Sequence, residues 1–261
     1  MNRTRHAFNK EHSLFIPFFV AGHPTLSSTV TTILNLSKIG ADIIELGVPF
    51  SDPVADGPVN QLASDIALKN GASLDWCLEQ VNQVRLQKCE TPIILFTYLN
   101  PILAMGVESF SKKAKAAGVD GVLIVDLPPE AGEDLYTTLT KAGLEIVLLV
   151  SPTTDHGRLK LYKQLNPCFI YYISRLGVTG TQNKLAENLA KEVEELRTQI
   201  DGIPVAVGFG ISTPAQAQEV AKIAQGVIVG SLIVNELNCA GQVAAISLAE
   251  KLGRAVHSRS L

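Results

Sequence analysis

Eight short runs of β-branched and aliphatic residues recur along this chain about 30 residues apart, and that spacing restricts the fold more than any other feature. The runs are Phe15–Val20, Asp42–Leu46, Ile93–Tyr98, Asp120–Val125, Glu145–Val150, Phe169–Ile173, Pro204–Val207 and Gly226–Val229. Their centres read as unbroken apolar stretches such as IVLLV, with no polar residue in alternation. A strand can be apolar on both faces only if both faces are covered, the condition of a parallel sheet flanked by helices.

The segments between the runs carry a helical period. Leu26–Ile39, Phe110–Ala117 and Glu130–Ala142 each stop at a glycine, at 40, 118 and 143. Glycine just past a helix end accepts the left-handed backbone conformation that closes it. Each glycine is followed within two residues by Asp or Glu at the start of the next apolar run, so the turn from helix to strand repeats. The longer step from residue 47 to 92 has room for two helices, over Pro58–Asn70 and Ser73–Gln87. Eight βα units in 261 residues, with no Pro/Ser/Gly-rich linker, predict an α/β fold. The reading is a single (β/α)8 TIM barrel with extra helices, one domain over residues 1–261. A doubly wound sheet is the structural alternative.

Composition removes other classes. A chain with 46% hydrophobic and 18% charged residues is neither disordered nor fibrous. A net charge of −3 gives no footing for nucleic acid or an anionic membrane. Cys77, Cys89, Cys168 and Cys239 are widely spaced, which suits reduced, mostly buried thiols in a cytoplasmic protein. The apolar stretch Leu14–Gly22 follows Arg3 and Arg5 as a signal peptide's core would. Glu11 ahead of it and Pro17 within it favour a buried strand.

Barrel chemistry gathers where strands end and the following loops begin. Three of those loops are glycine-rich: Gly177–Gly180, Gly208–Gly210 and Val229–Ser231. Glycines let backbone N–H groups converge on a phosphate, and the last two units are the usual phosphate site of such barrels. Simple tight turns are the other reading. Glu45 lies inside the apolar run DIIELG, where a carboxylate must be paired, hydrogen-bonded or used. Asp56, in the loop SDPVADGP, is either functional or a turn and capping residue. Asp126, ahead of Pro128 and Pro129, is either functional or a cap for the helix that follows. His23, in the first loop, reads as a solvated loop residue.

No lysine sits at a strand end to form a Schiff base, and the five histidines lack HxH or HExxH spacing. No GxSxG nucleophile turn occurs. Carboxylate acid–base chemistry on a phosphorylated small molecule remains, with no metal and no cofactor on this chain.

Residues 45–58, ELGVPFSDPVADGP, closely resemble the signature of the tryptophan synthase α-subunit family. The resemblance runs along essentially the whole chain, through FIPFFVAGHP at 15–24, DLPPE at 126–130, SRLGVTG at 174–180, GFGIS at 208–212 and GS at 230–231. It implies retro-aldol cleavage of indole-3-glycerol phosphate to indole and glyceraldehyde 3-phosphate. Position by position, it implies that Glu45 is the general acid and base, and that Asp56 holds the indole N–H. Phe18, Phe96, Leu123 and Tyr171 would line the indole pocket. Thr179 would contact the catalytic aspartate when loop six closes. Gly180, Gly210, Gly230 and Ser231 would hold the phosphate. The resemblance also implies an αββα complex with a β subunit that carries the pyridoxal phosphate. Docking would use Val48–Gly57, Tyr98–Val107 and Asp126–Glu130. Gly22-His23-Pro24 departs from the family, where many members have GDP or GYP, so an acid that helps hold the closing loops is missing here. A regulatory subunit with little activity is the alternative function. A phosphosugar isomerase or epimerase on the same barrel lacks its expected His or Cys groups.

Overall fold

Strands that are apolar on both faces satisfy them by closing into a ring, one face inward and the other against helices. The computed structural model describes residues 2–173, 182–208 and 210–258. It is a (β/α)8 barrel in which β1 (Leu14–Val20), β2 (Ile44–Gly47), β3 (Ile93–Thr97), β4 (Gly121–Ile124), β5 (Glu145–Val150), β6 (Phe169–Ile173), β7 (Val205–Gly208) and β8 (Gly226–Val229) pair in chain order. All pairs are parallel, and β8 returns to β1 with Leu14 opposite Gly226.

Around the ring lie α1 (Arg3–Ala7), α2 (Ser28–Lys38), α3 (Pro58–Lys69), α4 (Leu74–Leu86), α5 (Leu99–Met105), α6 (Val107–Ala117), α7 (Pro129–Lys141), α8 (His156–Leu165), α9 (Gln182–Gln199), α10 (Pro214–Ala221), α11 (Ser231–Cys239) and α12 (Gly241–His257). The long second connection holds α3 and α4 as the spacing predicts. Gly118 and Gly143 close α6 and α7 at φ of 87° and 80°.

The two-residue side-chain period divides the core. Leu14, Ile16, Ile43, Ile94, Leu123, Val147, Phe169, Ala206 and Ile228 fill the inside of the barrel. Their neighbours in the chain, such as Phe15, Ile44, Leu46, Leu95 and Val122, pack outward against the helices. Three of the four cysteines are buried as expected, but Cys239, on the last turn of α11, is exposed; all four are free thiols.

The end of the barrel where strands begin is bound by charge. Asp120 accepts hydrogen bonds from Arg3 Nε (2.7 Å), Arg85 Nη2 (2.7 Å) and the Ile93 N–H (2.8 Å). Arg5 pairs with Glu145 at 2.8 Å, so α1 straps β4 to β5. The Asp120 and Arg85 side chains are only 7% and 12% exposed, which makes this a buried pair. Asp120→Ala leaves the Arg85 guanidinium without its carboxylate in a dry site. It is expected to cost about 3–5 kcal/mol in urea unfolding.

Candidate active site

At the opposite end, the innermost side chains of the strands stop short and leave a cavity of about 510 Å³. Phe18, Glu45, Phe96, Val125, Leu149, Tyr171, Ile173, Gly208, Ile228 and Gly230 form its floor and walls. Asp56, Gly57 and Asn60 close one side, and Gly210 and Ser231 another. Strand parity, together with the loops after β2, β7 and β8, therefore brings into one chamber Glu45 and Asp56, Phe18, Phe96 and Tyr171, and Gly210, Gly230 and Ser231.

Glu45 is the second residue of β2, level with Phe18 on β1 and Ile94 on β3. Its inward position follows from the outward packing of Ile44 and Leu46 on either side. It is fully buried, and neither Oε1 nor Oε2 has a hydrogen-bond partner among the described residues. The ion-pair or hydrogen-bond alternative for this carboxyl is therefore absent from those residues. Burial alone pushes its pKa up to about 8, so at neutral pH it is mostly a carboxylic acid. A buried acid with nothing to hold it has its proton available to whatever occupies the chamber.

Asp56 lies in the loop after β2 and is half-buried. Tyr98 donates to its Oδ2 at 2.8 Å, and Asn60 to its Oδ1 at 3.4 Å. Burial raises the Asp56 pKa, and these two donors oppose the rise by favouring the carboxylate. The Tyr98 hydroxyl also accepts the Ala55 N–H at 3.1 Å, and its ring stacks on Phe50 with centroids 5.0 Å apart. Tyr98 thus fixes both the loop and the carboxylate. Nothing in its local sequence distinguishes it from other strand-end aromatics, because the contact spans 42 residues. Asp56 does not cap α3, whose N-cap is Gly57.

Phe18 and Phe96 meet edge to face, centroids 5.1 Å apart, and offer flat apolar walls. Tyr171 rises from β6 opposite Ala206, and its ring lies over Gly208, two residues further along β7. Gly230 is the N-cap of α11 and has no side-chain capping bond; the Ile233 N–H turns back to the Gly230 carbonyl at 2.9 Å, which leaves the Ser231 and Leu232 N–H groups at the helix N-terminus as the anion-binding donors. Ser231 opens the same helix.

Four residues sit differently from their sequence readings. Leu123 is fully buried one strand step below the chamber, and Val125, two residues on, takes the wall position. Asp126 accepts the Leu99 N–H at 2.7 Å, so it caps α5, the neighbouring helix, and not the α7 that follows it. His23 is fully buried and not solvated. Asn70 ties down the carbonyls on both sides of it, Gly22 and Pro24 (3.0 Å each), and His23 Nε2 lies 3.4 Å from Asn238 Oδ1. Burial lowers its pKa and keeps the imidazole neutral. The strand-two run begins at Ile44 and not Asp42, because the Asp42 carboxylate turns back to accept the Phe15 N–H at 2.8 Å. Thr179 and Gly180 lie outside the described residues.

Residues 5–257 match the family model described as "Tryptophan synthase alpha chain". The tryptophan synthase alpha chain of Geotalea daltonii is 48% identical over 230 residues, covering 88% of this chain and 86% of the relative. That of a Caulobacter species is 43% identical over 253 residues, 95% of this chain and 92% of the relative. The crystal structure of tryptophan synthase subunit alpha from Legionella pneumophila superposes with a TM-score of 0.92 at 37% identity, covering 98% of each chain.

Proposed function

This chain belongs to the tryptophan synthase alpha chain family, whose α reaction is a lyase reaction, and we propose that Glu45 and Asp56 carry that reaction on indole-3-glycerol phosphate. The observation that carries the proposal is the pair of unlike carboxyls in one apolar chamber. One is unpartnered, and burial holds it protonated; the other accepts the Tyr98 hydroxyl, which favours its carboxylate form against burial.

The chemistry needs that difference. The bond between indole C3 and the glycerol chain breaks only after C3 is protonated, because the resulting indolenine can accept the bond's electrons. Glu45, neutral at pH 7, delivers that proton. Positive charge then develops on the ring nitrogen, and the Asp56 carboxylate accepts its N–H and stabilises it. As the carbon–carbon bond opens, its electrons return to the ring. The adjacent glycerol hydroxyl loses its proton to the Glu45 carboxylate and becomes the aldehyde. Protons balance and Glu45 is regenerated, so the step asks for no metal or cofactor on this chain. Phe18, Phe96 and Tyr171 hold the indole plane, with Leu123 supporting the floor beneath. Gly210, Gly230 and Ser231, together with Gly180, hold the phosphate through backbone amides. Thr179 meets Asp56 on closure.

The family works with a β subunit. We place pyridoxal phosphate on that partner, in an αββα assembly that receives indole through an internal passage. The docking loops are Val48–Gly57, Tyr98–Val107 and Asp126–Glu130. No helix among the described residues is long and apolar enough to cross a membrane, and a cytoplasmic location fits this chemistry.

The test follows glyceraldehyde 3-phosphate release from indole-3-glycerol phosphate, with and without a β subunit. Asp56→Asn keeps the shape but removes the charge, and turnover is expected to fall about 10²–10³-fold. Wild-type release no faster than that variant's, even with the β subunit present, would reject the lyase assignment of these residues and leave a regulatory subunit.

A further inference from the structure

Three segments far apart in sequence bring metal-binding groups together at the strand-start end of the barrel, away from the chamber. His12 precedes β1, Asp42 precedes β2, and His257 ends α12. One ligand atom from each lies within 4.8 Å of the other two. We propose that His12, Asp42 and His257 form a binding site for a divalent transition metal of the zinc class, which clasps the C-terminal helix to the barrel.

The donor set suits that class. Two imidazoles and one carboxylate match zinc, and a water would complete a tetrahedron. Ligand atoms around zinc, bonded at about 2.0–2.2 Å, stand roughly 3.5 Å apart, so closing from 4.8 Å asks for about 1 Å of movement. His12 on a loop and His257 at a helix end, both partly exposed, can supply it. The His12 tautomer is also set. His12 Nδ1 is 3.0 Å from the Ser13 carbonyl, the outer contact that orients a ligating imidazole and leaves Nε2 with its lone pair. The two imidazole rings lie with centroids 4.4 Å apart. Asp42 is held rigidly, its Oδ2 accepting the Phe15 N–H at 2.8 Å and facing His257 Nε2 at 2.7 Å. Lys10 donates to Asp42 Oδ1 and competes for the carboxylate. Its side chain is 46% exposed and can swing into solvent. Binding therefore displaces the Lys10 ammonium and moves the His257 proton from Nε2 to Nδ1, which frees the Nε2 lone pair for the metal. No sequence spacing announces the site, since His12 and Asp42 meet His257 only through closure of the ring.

The experiment titrates the metal-stripped full chain with zinc chloride at neutral pH, by calorimetry and by thermal unfolding. The expected result is one zinc per chain, with a dissociation constant on the order of micromolar. The unfolding midpoint should rise by several degrees at about 100-fold excess over that constant. His12→Ala leaves the Asp42–His257 contact intact and so keeps the fold. It should weaken uptake by more than about 100-fold, beyond what loss of an outer contact costs. His257→Ala should do the same. No saturable uptake at about 1 mM zinc would overturn the site, leaving a hydrogen-bonded cluster alone. Uptake that either variant retains would overturn it equally, because the three ligands then do not act together.

Discussion

The Glu45→Gln variant is expected to lose turnover by at least about 10³-fold and yet to resist urea better than the wild type near pH 8. The loss follows from the two proton transfers assigned to this one group. The gain follows from burial. The Glu45 pKa is raised from 4.5 to about 8 in the folded chain. Between those values the folded state holds a proton that the unfolded state has released. Wild-type stability therefore falls by about 1.4 kcal/mol per pH unit as pH rises through this window, and is fully present only below it. Glutamine has the same shape and never ionises, so its advantage should be several kcal/mol near pH 8 and should vanish near pH 4.5. The same titration shapes the rate: wild-type kcat/KM should decline above about pH 8, as the acid form of Glu45 is lost. Urea curves for both proteins at pH 5 and pH 8, with kcat/KM for product release followed from neutral pH to above pH 8, check all of this. Equal stability differences at the two pH values would mean that Glu45 is not held neutral. Turnover within about 10-fold of wild type would remove it as the acid.

A second large effect is expected from a single methyl group. A Cβ on Gly208 would fall 2.1 Å from the Tyr171 hydroxyl and 2.2 Å from two of its ring carbons, so Gly208→Ala must drive the ring out of place by about 1 Å or more. The ring stands on the chamber wall, and a displacement of that size is expected to lower kcat/KM roughly 10²-fold. Overpacking should also cost about 1–3 kcal/mol of stability. Because one contact causes both, the costs should not add. Gly208→Ala placed on a Tyr171→Ala background should lower the unfolding midpoint little further. A double variant whose loss equals the sum of the two single losses would show that the glycine serves another purpose.

The barrel was legible because it is written locally. The strands are largely continuous apolar runs, and three helices end at a glycine just ahead of the next run, at 40, 118 and 143, so the order and number of units follow from spacing alone. Glu45 was legible for the same reason, as a charge inside such a run. The misreadings concern contacts that spacing does not encode. Leu123 and Val125 are alike in sequence, and only the height of β4 in the ring decides which of them reaches the chamber. His23 looks like an exposed loop residue until Asn70 and Asn238, 47 and 215 positions away, enclose it. Asp126 serves the helix of the preceding unit, and Tyr98 reaches back to Asp56; both links cross between units. The local code fixes which residues point inward, and the assembled ring fixes what they meet.

The charged contacts at the strand-start end have a mechanical meaning. Arg3 and Arg5 fasten the first helix across β4 and β5, and His257 fastens the last helix beside β2. The first and last helices are thus tied into the same rim. A ring secured there does not depend on the loops of the other rim to stay shut. Those loops, which carry Asp56, Asp126 and the glycine turns, are free to be exchanged or reshaped over evolutionary time while the hoop beneath them keeps its form.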